Sequence, residues 1–265
     1  TSLDRAIALA PVDGGFTGTL SRDWWGGVGP HGGYLAAILT AAVGAAAGPG
    51  QTIRSLTTHY LEPPRAGRFE LDVERLRSTR STTTVALRLR QGDALRLAAL
   101  AVATRRRSGP EFEDAAMPAA SRFEETAVTE IDEALGGRPP AFARRLEYRQ
   151  CIGPPPFAGG PESLTGGWVR FRDGRAIDLP GAALLTDGWW PAVSSRLREP
   201  PHAPTVDLTI HFRRPPPPAG EPVLAVFRSR LVSDGFMDDE GELWSADGRL
   251  LVQSRQLAVL LTGPG

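Results

Sequence analysis

Ser55-Leu-Thr-Thr-His-Tyr-Leu-Glu-Pro-Pro64 and Asp207-Leu-Thr-Ile-His-Phe-Arg-Arg-Pro-Pro216 are one segment written twice. Leu56/Leu208, Thr57/Thr209, His59/His211, Pro63/Pro215 and Pro64/Pro216 are identical, and the aromatic Tyr60 stands against Phe212. The spacing is 208 − 56 = 152 residues. Carried upstream without a gap, it sets Gly14-Gly15-Phe16 on Gly166-Gly167-Trp168 and Gly29 on Gly181. A spacing held from residue 14 to residue 64 marks a duplicated structural unit.

Each copy reads in the same order. A short strand (16–20; 168–172) passes through a glycine-rich turn into an apolar helix (33–47; 184–197). Strands follow at 52–61, 69–77, 82–91 and 95–104 in the first copy, and at 205–212, 222–231, 235–245 and 250–261 in the second. They are read from β-branched and alternating residues, as in Thr82-Thr-Thr-Val-Ala-Leu-Arg-Leu-Arg90. Gly92-Asp93 and Asp247-Gly248 mark corresponding hairpins. Tyr34, Leu35, Ile38 and Leu39 among alanines leave the first helix apolar on nearly every side, so it is expected to be wrapped by the sheet. A helix gripped by a curled antiparallel sheet is a hotdog, and two in tandem give an α+β double hotdog. The expected division is 1–110 for the first repeat, 111–140 for a charged connector with a short helix near 123–135, and 141–265 for the second repeat, which opens with a strand at 142–150.

Composition narrows the function. Lys+Arg and Asp+Glu are balanced at 30 each, which argues against a broad basic face for nucleic acid or anionic membrane. The single cysteine, Cys151, cannot pair within the chain and is expected to be inert, and no Cys/His cluster has metal-ligand spacing. The apolar run 34–47 is too short to span a bilayer, and Asp4 and Arg5 do not fit a signal peptide. The simplest expectation is a cytoplasmic protein without metal or cofactor.

In the second half, Leu184-Leu-Thr-Asp-Gly-Trp-Trp-Pro191, Thr205-Val-Asp-Leu-Thr-Ile-His-Phe212 and Leu251-Val-Gln-Ser-Arg-Gln256 occur in this order. With the duplication, these segments resemble the acyl-CoA thioesterase II (TesB-like) family, over about 5–105 and 142–262. The resemblance implies an acyl-CoA substrate and a water held by an aspartate, a threonine and a glutamine, which fall here on Asp187, Thr205 and Gln256. The chemistry gives that trio sense. Water attacks a thioester carbonyl once a carboxylate accepts its proton and neutral groups fix its lone pair. N–H groups at a helix N-terminus suit the developing oxyanion, and Pro191 suggests that a regular helix starts beside Asp187. In the first copy the matching positions are Leu35, Ile53 and Ala101, all apolar, as expected of one active and one degenerate half.

Each assignment has a plainer counterpart: Asp187 as a helix cap, Thr205 as an ordinary strand residue, Gln256 facing solvent. His59 and His211 recur in both copies, which favours packing or an interface over catalysis. In Pro30-His31-Gly32-Gly33-Tyr34, Gly32 and Gly33 either line an acyl or pantetheine tunnel or form a tight turn. The acidic partner that single-hotdog thioesterases place on the following helix is missing here. Trp189 and Trp190 are candidates to narrow or floor the acyl pocket. Rival readings are an enoyl-thioester hydratase or dehydratase and a non-catalytic acyl-CoA-binding protein. The first ranks lower because no histidine follows Asp187 until His202. Free sheet edges predict a homodimer or higher closed oligomer.

Overall fold

A computed structural model of the chain describes residues 1–137 and 139–261. Arg138 and positions 262–265, which the expected connector and second repeat include, lie outside the described residues. The chain begins with helix α1 (Ser2–Ala6), strands β1 (Ala10–Val12) and β2 (Gly15–Leu20), and helix α2 (Gly32–Ala46). Strands β3 (Thr52–Tyr60), β4 (Gly67–Ser78), β5 (Thr82–Gln91) and β6 (Ala94–Thr104) follow. The second series holds β7 (Leu146–Ile152), β8 (Leu164–Phe171), β9 (Thr205–Phe212), β10 (Val223–Arg228), β11 (Val232–Ser233), β12 (Phe236–Ser245) and β13 (Leu250–Val259). Its two helices are α3 (Ile131–Ala134), in the connector, and α4 (Leu179–Leu185), after β8.

All strands join one antiparallel sheet, ordered β1-β2-β4-β5-β6-β3-β9-β13-β12-β10-β8-β7, with β11 alongside β12. From β2 to β8 the order is unchanged when the copies are exchanged. The halves meet where β3 pairs with β9, and there Thr57 stands opposite Thr209, its own repeat equivalent. Their hydroxyls lie 3.1 Å apart, so the pseudo-twofold axis passes between two copies of one residue. Joining the halves through these strands leaves no bare edge at the centre of the sheet. The paired glycines also have a physical reason. A Cβ on Gly15 would stand 2.0 Å from the Leu71 carbonyl oxygen, and one on Gly167 2.1 Å from that of Arg149, so only glycine lets the neighbouring strand approach.

The core lies between the sheet and the two helices, which pack on one another. Tyr34, Leu35, Ile38, Leu39 and Val43 of α2 are all buried, each contributing about 1.5–3 kcal/mol of transfer free energy. Ile53 is equally buried, as the apolar first copy requires. His59 and His211 instead lie exposed on β3 and β9, outside the core. No helix among the described residues is long and apolar enough to cross a membrane.

Three expectations need correction. The second-copy helix is not at 184–197: α4 starts after the cap Asp178, with Pro180 in its first turn, and ends at Leu185. Gly188 and Pro191 interrupt any continuation of the helix, leaving only the 3-10 turn Ala192–Ser195 with Pro191 as its N-cap. The connector has no continuous helix over 123–135, only the 3-10 turn Phe123–Glu125 and α3. The opening strand of the second copy runs over Leu146–Ile152, after a 3-10 turn at Ala141–Arg145.

Candidate active site

Thr205 and Gln256 come together through an irregularity of the sheet. Leu257 pairs with Asp207 but Ala258 pairs with Thr205, so Val206 is an extra residue on β9. Without that bulge, alternation would turn Thr205 to the outer face beside Asp207. With it, Thr205 faces inward opposite the buried Ala258, and the Gln256 amide donates to the Thr205 hydroxyl. The first copy carries the same bulge: Ile53 pairs with Ala103 and Ser55 with Val102, leaving Arg54 extra. Ile53 thus occupies the Thr205 position. Ala101, opposite Leu56, occupies that of Gln256, opposite Leu208.

The helices do not share the 152-residue spacing. The caps of α2 and α4 are His31 and Asp178, 178 − 31 = 147 residues apart. By that register Asp187 corresponds to Thr40, not to Leu35, because each lies nine residues beyond its cap: 31 + 9 = 40 and 178 + 9 = 187. Asp187 also caps nothing on its own helix. It follows the C-terminal end of α4 and reaches across to the start of α2, where its Oδ2 accepts the Gly33 N–H at 2.8 Å. The nearby N-terminal amides therefore belong to α2, contrary to the helix start expected at Pro191.

His31 completes this corner. Its Nε2 lies 2.6 Å from the Asp187 carbonyl oxygen and 3.0 Å from Asp187 Oδ2. Both partners are acceptors, so Nε2 carries the proton. The ring stacks on Phe142 at a centroid distance of 3.7 Å, and Nδ1 is buried without a partner among the described residues. The acidic partner missing from the sequence after His31 is thus supplied by the other half of the molecule. Tyr60 donates to the Gly32 carbonyl at 3.0 Å, and burial, then the Asp187 charge, pushes its phenol well above the usual range. Space here is tight: a Cβ on Gly32 would lie 2.9 Å from Asp187 Oδ2, and one on Gly33 2.3 Å from the Leu184 carbonyl oxygen.

Asp187 makes no hydrogen bond to Thr205 or Gln256 among the described residues. Asp187 and Gln256 both adjoin Asp239, a buried residue of β12 with no place among the residues expected from the sequence. It stands opposite Gln256, and the Asp187 charge acts on it. Burial first, then Asp187 and Asp238, push its carboxyl up to about 8 against the pull of the Ala192 N–H. The parity of Met237, Asp239, Gly241 and Leu243 was the available signal, since it turns one acid inward on an otherwise apolar strand face.

Trp189 and Trp190 are buried in the core, with ring centroids 4.6 Å apart and both rings against Tyr148. Trp189 Nε1 donates to Thr165 at 2.9 Å, whereas Trp190 Nε1 is buried without a partner among the described residues. A cavity of about 530 Å³ opens beside the Phe142 segment, lined by Asp23, Pro139, Ala141, Arg144 and Arg145. None of Asp187, Thr205 and Gln256 is in its walls. Burial raises the Cys151 thiol, which opposes thiolate chemistry there. No group of three or more His, Cys, Asp or Glu side chains among the described residues is arranged to hold a metal ion.

Residues 116–260 match the family described as the acyl-CoA thioesterase C-terminal domain, and residues 21–106 match the acyl-CoA thioesterase N-terminal domain. A hotdog-fold protein of unknown function from Alicyclobacillus acidocaldarius superposes with a TM-score of 0.90 at 27% identity, covering 100% of this chain and 99% of that one. An acyl-CoA thioesterase II from Mycobacterium marinum superposes with a TM-score of 0.78 at 18% identity, covering 99% of each chain. The dehydratase domain of PpsC from Mycobacterium tuberculosis, solved with C12:1-CoA, shares the fold with a TM-score of 0.59 at 13% identity, covering 97% of this chain and 99% of that domain. No functionally curated protein matches the chain.

Proposed function

The chain belongs to the acyl-CoA thioesterase family and is a thioester hydrolase, and we propose that it cleaves acyl-CoA with a water held by Asp187, Thr205 and Gln256. The observation that carries this reading is the inward-facing Thr205–Gln256 pair, set at a bulge where the first copy holds Ile53 and Ala101. The fold tolerates apolar residues at both positions, so their polarity in the second copy serves something other than folding.

In the reaction the water oxygen bonds to the thioester carbon while Asp187 takes its proton. The Thr205 hydroxyl and Gln256 amide orient the water's lone pair. First-turn N–H groups of α2 that Asp187 does not occupy suit the charge that grows on the carbonyl oxygen. The intermediate collapses, the carbon–sulfur bond breaks, and the CoA thiolate takes the proton from Asp187. Gly32 and Gly33 admit substrate backbone-close to the carboxylate, and Trp189 and Trp190 form an apolar wall for the acyl chain. The division at 1–110, 111–140 and 141–265 belongs to the same reading; the family matches, 21–106 and 116–260, support a change of unit near residue 110, and the second of them includes most of the connector. So does a homodimer or higher oligomer, supported by the outer strands β1 and β7, each paired on one side only among the described residues.

Thiol release from acyl-CoAs of graded chain length tests the proposal. Asp187→Asn should lower turnover by about 10²–10⁴-fold, the range for losing a positioned base, with acyl-CoA binding retained. Full activity in that variant would end the reading. One observation favours a second reading: His31 Nε2 lies 3.0 Å from Asp187 Oδ2, an acid–base pair across the two halves of the kind that enoyl-thioester hydration requires. Consumption of 2-enoyl-CoA without thiol release would establish that alternative.

A further inference from the structure

Asp239 is the one acid on the inward face of β12, and it is 7% exposed. Its Oδ2 accepts the Ala192 N–H at 3.3 Å, while Oδ1 is buried and has no hydrogen-bond partner among the described residues. Directly opposite stands Gln256, on the same face of the sheet, whose amide N–H is committed to Thr205. Side chains directly opposed on antiparallel strands have Cβ atoms about 4.5–5.5 Å apart, within reach of a carboxyl–amide hydrogen bond. The first copy shows what the fold alone needs. Val85 lies opposite Ala101, which lies opposite Leu56, just as Asp239 lies opposite Gln256, which lies opposite Leu208. A valine, 1% exposed, fills the equivalent place. Asp239 is therefore a fourth second-copy position where a polar group replaces a buried apolar or locally satisfied one.

The charges bearing on Asp239 are both negative: Asp187, from the end of α4, and Asp238, from its own strand. The Ala192 segment offers only its N–H, and β13 offers the uncharged Gln256. Arg255 points to Asp238, at 3.9 Å, on the outer face. Arg228, at the end of β10, is exposed. A carboxyl in such surroundings keeps its proton through neutral pH, and a protonated carboxyl can donate.

We propose that Asp239 is a positioning residue of the hydrolytic site, donating from its carboxyl to the Gln256 carbonyl and so fixing the amide with its N–H toward Thr205. The proposal rests on the thioesterase function proposed for this chain. Once ionised, Asp239 is an acceptor only. It then competes with Thr205 for the Gln256 N–H, turns the amide round, and places a second negative charge near Asp187. The water site is disordered by loss of a proton from a residue that touches neither water nor substrate.

The test compares kcat and KM across pH for the wild type, Asp239→Asn and Asp239→Val, together with their melting temperatures. Asp239→Val, copying Val85, should lower kcat roughly tenfold, the equivalent of one lost positioning hydrogen bond, with KM little changed. It should melt no lower than the wild type, since a buried valine, Val85, is what the equivalent place holds in the first copy. Asp239→Asn retains an N–H donor, so it should keep near-wild-type kcat at neutral pH and lose the alkaline decline. Wild-type kcat in Asp239→Val, or an unchanged alkaline decline in Asp239→Asn, overturns the proposal. Wild-type thiol release in the same assay separates that outcome from failure of the underlying thioesterase reading.

Discussion

The buried carboxyl of Asp239 should make folding stability fall with pH, and this needs no substrate to measure. An aspartate in the unfolded chain ionises near 3.8, whereas in the fold this one ionises at about 8. Between those values the native state holds a proton that the unfolded state has released. Stability contributed by the neutral acid is therefore fully present below the lower value and is lost progressively as pH rises to the upper one. The slope is about 1.4 kcal/mol per pH unit, so from about pH 5 to about pH 8 the wild type should lose roughly 4 kcal/mol. That is a large part of the roughly 5–15 kcal/mol of a typical domain. Asp239→Asn keeps the shape and cannot titrate. Urea unfolding followed by tryptophan fluorescence at both pH values should show the stability gap between variant and wild type widening by about that amount. Parallel dependence on pH in the two proteins would refute the reasoning, because the other titrating groups are common to both.

Other expectations are simpler. Gly33→Ala would set a Cβ 2.3 Å from the Leu184 carbonyl oxygen and 3.1 Å from the Asp187 Cβ; thermal unfolding should show a loss of about 1–3 kcal/mol from overpacking, and thiol release should fall with it. Trp189→Phe leaves the buried Thr165 hydroxyl without its donor, whereas Trp190→Phe removes an N–H that has no partner among the described residues. Chemical denaturation should therefore find the first variant less stable than the second by about 1–3 kcal/mol, although the two lose the same atoms.

The sheet was legible in the sequence because a strand pairing is rigid in register. The spacing of 152 that aligns Leu56 with Leu208 also fixes the bulge, so Ile53 and Thr205 fall on equivalent places in space. The helices were less legible, because a helix can slide against a sheet without breaking its own hydrogen bonds. Leu184-Leu185, Trp189-Trp190 and Ala192-Val193 supply apolar residues on either side of Asp187, and Pro191 suggests a helix start there, whereas Asp178 and Pro180 carry the stronger cap signature. The His31–Asp187 contact joins residues 156 apart, from different copies, and no local pattern announces it. Asp239 was hidden for a different reason. Asp238-Asp-Glu240 reads as a solvated run, and only strand parity separates its one inward member from its neighbours on the strand.

The meeting of Thr57 with Thr209 has a consequence for how such a site could arise. Where two identical chains assemble about an axis, every substitution is made twice, and a carboxyl buried for chemistry would burden both subunits. Here the axis lies within a single chain, so the symmetry of shape does not impose symmetry of sequence. A twofold arrangement offers two equivalent places in the sheet. One holds Val85, Ala101 and Ile53, and the other holds Asp239, Gln256 and Thr205 in the corresponding positions. Gene fusion thus lets one half act as ballast for the other, so that a residue harmful to stability can be admitted once and never mirrored.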